Sequence, residues 1–184
     1  VPAEDSWLAL SALASQLKRY DKSISLCIDI GAGTGILGLY CAANKVYTVL
    51  TDVNPCAVAC SLLSSGLSGV RHLVDIVQCD AASCIRKLGR SSAIAVYNTP
   101  YLPEEDDEGL ESLAWSGGLR EAERFFSMFG ENPGVMCGIA VYSSLSGDDS
   151  GLLSRLAAEY TVEVFMTHMF FEDIKVVVAC RRRP

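Results

Sequence analysis

The stretch Leu26-Cys27-Ile28-Asp29-Ile30-Gly31-Ala32-Gly33-Thr34-Gly35-Ile36-Leu37-Gly38 limits the folds open to this chain more than any other. Its apolar run is too short for a helix and stops at Gly31, which suits the central strand of a parallel sheet. Asp29 alone interrupts it. Glycines at alternate positions let the main chain take dihedrals closed to residues with a Cβ and let a ligand lie against bare backbone. A helix opening near Gly35 adds unpaired N–H groups that favour a carboxylate or a phosphate in the same crevice.

Gly33 to Gly38 matches the dinucleotide pattern G-x-G-x-x-G, a weak signal alone. The fuller pattern Asp29-x-Gly31-x-Gly33-x-Gly35 resembles motif I of class I S-adenosylmethionine (SAM) methyltransferases, which set an acidic residue before three alternating glycines. A second strand, Val46 to Thr51, ends at Asp52, 17 residues beyond Gly35. A carboxylate there accepts hydrogen bonds from ribose hydroxyls in SAM and NAD sites alike.

Asn54-Pro55 starts the next helix, with proline in the first turn, running to the break at Gly66. A third strand around His72 to Gln78 alternates only partly in polarity, as an edge strand does. Asp80, with Ala81, follows it and suits an adenine amino group or a helix cap. A short helix to Leu88 leads to a fourth strand, Ala93 to Tyr97, and to Asn98-Thr99-Pro100-Tyr101.

That tetrapeptide is similar to the [Asn/Asp]-Pro-Pro-[Tyr/Phe] motif IV of methyltransferases that modify planar nitrogens, with Thr99 in place of the first proline. An amide nitrogen is a poor nucleophile because its lone pair is delocalised. An enzyme must therefore hold the NH₂ in line and accept its hydrogen bonds. Asn98 Oδ1 and the Thr99 carbonyl are acceptors for that task, Pro100 stiffens the turn, and Tyr101 offers a ring face to a cationic methyl donor. The alternative is a plain strand-ending turn.

A fifth strand, Val135 to Tyr142, leads to a helix ending near Glu159 and to a hairpin, Thr161 to Phe170 and Ile174 to Cys180, joined by a tight turn at Glu172-Asp173. Class I methyltransferases close their sheet with such a hairpin, whereas dinucleotide domains end on a sixth parallel strand. SAM is thus favoured over NAD. The fold class is α/β, a class I SAM-dependent methyltransferase with a seven-stranded doubly wound sheet and an antiparallel last strand, in one domain over 1–184. Residues 1–20 form an N-terminal lid helix segment and 102–117 an active-site loop.

Net charge is −7, which repels phosphate backbones and argues against direct nucleic-acid binding. The acidic run Glu104 to Glu108 with Glu111 suits a solvated loop or a basic substrate surface. Arg181 to Arg183 reads as a solvated basic tail. The eight cysteines show no C-x-x-C, and free buried thiols place the chain in the cytoplasm, with the nucleus open. No apolar stretch approaches the roughly 20 residues of a membrane span, and no signal peptide is read.

Taken together, Val1-Pro2-Ala3-Glu4-Asp5-Ser6, motif I, Asp52-Val53-Asn54-Pro55, Asn98 to Tyr101 and Trp115-Ser116-Gly117-Gly118 stand in the order of the short, eukaryotic and archaeal HemK-like branch of release-factor glutamine N5-methyltransferases, which the chain resembles over its length. The resemblance implies SAM as cofactor, held by Glu4, Asp5, Ser6, Asp29, Gly31, Gly33, Gly35, Asp52, Val53, Asp80, Ala81 and Asn98. It implies methylation of a glutamine amide in a Gly-Gly-Gln motif of a class 1 release factor. It further implies a small zinc-binding activator protein as a partner, expected on the edge strand around Leu73 to Val77, and no extra N-terminal substrate domain. Protein-lysine methylation, adenine N6 methylation and a non-catalytic SAM-binding subunit are the alternatives.

Overall fold

A computed structural model describes residues 4–89, 92–99, 117–169 and 171–182. Pro100, Tyr101, the acidic run, Trp115, Ser116 and all but the last residue of the 102–117 loop lie outside them, as do Val1 to Ala3 and the Glu4 side chain.

Seven strands form one sheet in the order β3-β2-β1-β4-β5-β7-β6. They are β1 (Leu26–Ile30), β2 (Tyr47–Asp52), β3 (Val74–Gln78), β4 (Ala93–Asn98), β5 (Val135–Ser143), β6 (Tyr160–Met169) and β7 (Glu172–Arg181). The first five are parallel, and β7 runs antiparallel between β5 and β6. The expected hairpin closure and the edge position of β3 are both present.

The helices are α1 (Glu4–Tyr20), α2 (Ile36–Ala43), α3 (Pro55–Leu67), α4 (Gly117–Glu131) and α5 (Ser150–Glu159). Successive strand residues point to opposite faces, and the core divides accordingly. Cys27, Ile94, Val96, Ile139 and Val176 pack under α1 and α2, while Ile28, Ile30, Ala95, Ala140 and Val177 pack under α4 and α5. Asn54 caps α3 by accepting from Cys56 N at 2.9 Å, with Pro55 at the first position.

Helix α1, expected as a lid segment, also contributes to the core: Ala9, Ala12 and Leu13 are buried against the sheet, and Gln16, fully buried, donates to Glu163 at 3.0 Å. Several other expectations are corrected. Residues 81–84 form turns, with Ser83 N donating to Asp80 O and Ile85 N to Ala82 O, and 85–88 run on without regular structure, in place of a short helix. Glu172 and Asp173 lie in β7 opposite Met169 and His168, so the hairpin turns one step earlier. Their carboxylates have partners on neighbouring strands: Glu172 accepts from Ser143 Oγ and Asp173 meets His168 Nδ1 at 2.8 Å.

Arg181 and Arg182 are not a solvated tail. Arg181 donates to the main-chain oxygens of Val135, Phe129, Gly130 and Asn132 and stacks on the Phe129 and Tyr160 rings. Arg182 donates to Ala157 O at 2.7 Å. Both satisfy carbonyls at the end of α4 or α5, where a cation is favoured. Cysteines also depart from the reading as free thiols. Cys27, Cys41, Cys56 and Cys60 are free, but Cys79 is bonded to Cys84 and Cys137 to Cys180. The β5–β7 register sets Cys137 opposite Cys180, with Cα atoms 4.1 Å apart, a proximity that a separation of 43 residues hides.

Candidate active site

The glycine turn leaves β1 with Gly31, Gly33 and Gly35 at φ of +59°, +54° and +82°. Each lies in the left-handed region that favours glycine. A Cβ on Gly35 would stand 2.8 Å from Leu50 Cδ2, and one on Gly31 3.0 Å from Tyr97 Cε2. Gly33 has nothing within 4 Å of its Cβ position, so its backbone borders open space.

Asp52 at the end of β2 holds this turn. Its Oδ2 accepts from Gly33 N at 2.9 Å and its Oδ1 from Asn54 N at 2.9 Å. Each carboxylate oxygen keeps a further lone pair for a ligand hydroxyl. Ser61, buried on α3, donates to Gly33 O at 2.8 Å, a contact the sequence reading missed. The available signal was a hydroxyl on the inward side of an otherwise apolar helix stretch.

Asp29 projects from β1 toward α2 and accepts from Gly38 N at 2.8 Å. It is buried, and burial pushes its carboxyl up to about 7; Gly38 N opposes the shift and the Asp52 charge adds to it. Gly38 is the residue that leaves room, since a Cβ there would meet Asp29 Oδ2 at 3.0 Å and Thr48 Cγ2 at 2.9 Å.

Asn98 ends β4, two strands from Asp52 and next to β1. Its Nδ2 donates to Asp5 Oδ2 at 3.0 Å and lies 3.4 Å from Ser6 Oγ, so the first turn of α1 reaches the motif. Asn98 Oδ1 is buried and takes no hydrogen bond among the described residues. Thr99 ties the chain to β5 where the related motif has proline: its Oγ1 donates to Val141 O at 2.6 Å and its N to the same oxygen at 3.3 Å. The hydroxyl thus supplies a constraint of its own.

Ser6, Asp29, Gly31, Gly33 and Asn98 line one cavity of about 200 Å³. Asp52 joins them through the turn. Val53 is largely exposed, and Asp80 is exposed and pairs with Arg124 of α4 at 3.5 Å. Ala81 sits at φ +47° and its carbonyl accepts from Thr51 Oγ1 at 2.8 Å. These three therefore lie outside the cavity, beyond the end of β2 and β3. An apolar cavity of about 170 Å³ under α4, lined by Ile28, Phe125 and Val135 among others, gathers none of the motif residues.

Among the described residues, no group of His, Cys, Asp and Glu is arranged to hold a metal ion, and no helix is long and apolar enough to cross a membrane. No family model matches the sequence. No curated protein sequence matches it either. Solved structures do match in fold. The N-terminal domain of human METTL16 in complex with SAH is 15% identical, with a TM-score of 0.72 over 98% of this chain and 72% of that one. The METTL16 catalytic domain in complex with a MAT2A 3′UTR hairpin is 14% identical, with a TM-score of 0.71 over 98% and 71%. M. capricolum TrmK in complex with S-adenosyl-homocysteine is 11% identical, with a TM-score of 0.62 over 94% and 68%. Strand order, antiparallel closure and these likenesses together give the chain the class I SAM-dependent methyltransferase fold.

Proposed function

We propose that the chain is a SAM-dependent methyltransferase whose acceptor is the side-chain amide nitrogen of glutamine, in the Gly-Gly-Gln motif of a class 1 release factor. The observation that carries this reading is Asn98 Oδ1, a buried acceptor without a partner among the described residues, in the same cavity as Asp29 and the glycine turn. A buried orphan acceptor costs about 1–3 kcal/mol, and an incoming N–H removes that cost.

The residues present fit the cofactor. Bare backbone at Gly33 admits a ligand, Asp52 retains acceptor capacity for ribose hydroxyls, and Asp29 offers a carboxylate to a cationic amino-acid end. SAM, when bound, supplies an electrophilic methyl group on a cationic sulfur. Asn98 Oδ1 and the Thr99 carbonyl then orient an NH₂ by accepting its two hydrogens, which holds the nitrogen in line while it gives up one proton to water. Positioning is the main contribution. A hydroxyl acceptor offers one hydrogen and leaves one of the two carbonyls unmatched.

A heterodimeric partner is part of this proposal. Edge strand β3 offers its unpaired side for strand addition, and Leu62, Leu63 and Leu67 of α3 and Val77 of β3 are exposed nearby. The partner class is a small zinc-binding activator. The rival reading is an amino nitrogen on a nucleobase, favoured by the likeness to METTL16 in complex with an RNA hairpin. A net charge of −7 disfavours it.

The test is methyl transfer from labelled SAM by this chain, co-expressed with such an activator, to a Gly-Gly-Gln release factor and to RNA hairpins, with peptide mapping and an Asn98→Ala control. One methyl on that glutamine, absent with the control, supports the reading; label on RNA or on lysine refutes it.

A further inference from the structure

The side-chain amide of Asn98 has two nearly isosteric orientations related by a half-turn of χ2. They are chemically opposite. With oxygen toward the cavity it accepts from an incoming N–H; with nitrogen there it donates and repels an NH₂. Something in the fold has to select one of them.

We infer that Asp5 is the positioning residue that fixes this amide, holding Asn98 Nδ2 so that Oδ1 faces the methyl acceptor. The inference rests on the amide-nitrogen reading above. Asp5 Oδ2 lies 3.0 Å from Asn98 Nδ2. A carboxylate accepts and never donates, so the flipped amide would set two oxygens at that distance. Ser6 gives no independent choice, because a hydroxyl rotates to suit its neighbours. Its Oγ lies 3.1 Å from Asp5 Oδ1 and 3.4 Å from Asn98 Nδ2, so its proton goes to Asp5 and its lone pair faces the amide. The direction of the whole chain therefore starts at the Asp5 carboxylate.

Placement supports the role. Asp5 is in the first turn of α1, where backbone N–H groups favour a negative charge, and its Oδ1 also accepts from Ser6 N. It is buried at 8% exposure, away from competing water. Charge-assisted bonds of this kind are roughly twice as strong as neutral ones. The partner atom is chosen across 93 residues of sequence.

The decisive variant is Asp5→Asn, which keeps size and shape but admits both orientations, since its own amide can donate to Asn98 Oδ1. In single-turnover methyl transfer by the complex at saturating SAM, Asp5→Asn lowers the transfer rate on the order of 100-fold, the fall expected for a misdirected positioning contact. The Asp5→Asn/Asn98→Ala pair falls no further than Asn98→Ala alone. NMR supplies a readout free of substrate: Asn98 side-chain NH₂ protons, assigned by their loss in Asn98→Ala, show NOEs to Ser6 in the wild type and weaken in Asp5→Asn. An unchanged transfer rate, additive losses or no such NOEs overturns the inference. If the NOEs are present but wild type methylates no amide, the functional reading falls while the pinned amide stands.

Discussion

Replacing Asp29 by asparagine tests the electrostatics of the crevice most directly. The carboxyl is pushed up to about 7 by burial, against an ordinary value of 3.8. Because the folded value is the higher one, the native state binds this proton more tightly than the unfolded chain does. The contribution of Asp29 to stability is fully present below about pH 4 and is lost as pH rises through about 7. Three units at 1.36 kcal/mol each amount to about 4 kcal/mol, of which about 3 kcal/mol disappears between about pH 5 and pH 8.

The amide that Asp29→Asn introduces keeps an acceptor for Gly38 N and carries no charge. Urea unfolding of both proteins, without cofactor, across about pH 5 to pH 8 gives a difference curve that cancels other titrating groups. The expected result is a variant that gains on the wild type by about 3 kcal/mol over that range. Parallel curves would falsify the assignment of a buried, shifted carboxylate. Cationic ligands reverse the preference: SAM binding to the wild type strengthens as pH rises through about 7 and is flat in the variant, as calorimetry can read.

Gly33→Ala has no clash, so it costs only about 1–2 kcal/mol for the left-handed backbone, yet it narrows the ligand cradle and lowers SAM affinity in calorimetric titration. Gly35→Ala adds a 2.8 Å contact with Leu50 to the same strain; its thermal midpoint falls below that of Gly33→Ala by several degrees. Thr99→Val removes the hydroxyl bond to Val141 O, costs about 1 kcal/mol of stability by chemical denaturation, and slows methyl transfer more than it changes SAM affinity. Lys175→Met strands Asp149, whose carboxyl bonds with Lys175 and Tyr142 at 2.8 Å each; loss of a buried partner costs about 3 kcal/mol in the same assay.

Motif residues were legible because their constraints are local. Asp29, the three glycines, Asp52 and Asn54 sit within one strand-turn-helix unit or at a strand end, and backbone chemistry dictates them residue by residue. Contacts between distant segments were not. Nothing in the spacing announces that Asp5 meets Asn98 or that Cys137 faces Cys180, since both depend on sheet order and register. Polar patterns misled where charge has an internal partner. Arg181 looked solvated because its carbonyl acceptors belong to the end of α4 and the turn before β5, and Glu172 looked like a turn because Ser143 lies on another strand. Conversely, the short helix expected to end at Leu88 gives way to turns over 81–84 beside the Cys79–Cys84 bond.

Two unfavourable features meet beside the glycine turn at the carboxyl ends of β1 and β4: a buried carboxylate and an amide oxygen without a partner among the described residues. Either of them arises in ordinary proteins. Their convergence on one cavity of about 200 Å³ has a common explanation, because each is relieved by a ligand that brings cationic and N–H groups against bare backbone. The crevice lies where strand order reverses, with β2 to one side of β1 and β4 to the other, which is where open α/β sheets bind ligands. Fold likeness gives the class of fold, and the buried carboxylate and the unpartnered amide oxygen mark the ligand crevice within it. The proposed direction of the Asn98 amide adds what likeness does not supply: with Oδ1 toward the cavity, the group it would receive is one that carries hydrogens, as a nitrogen acceptor does.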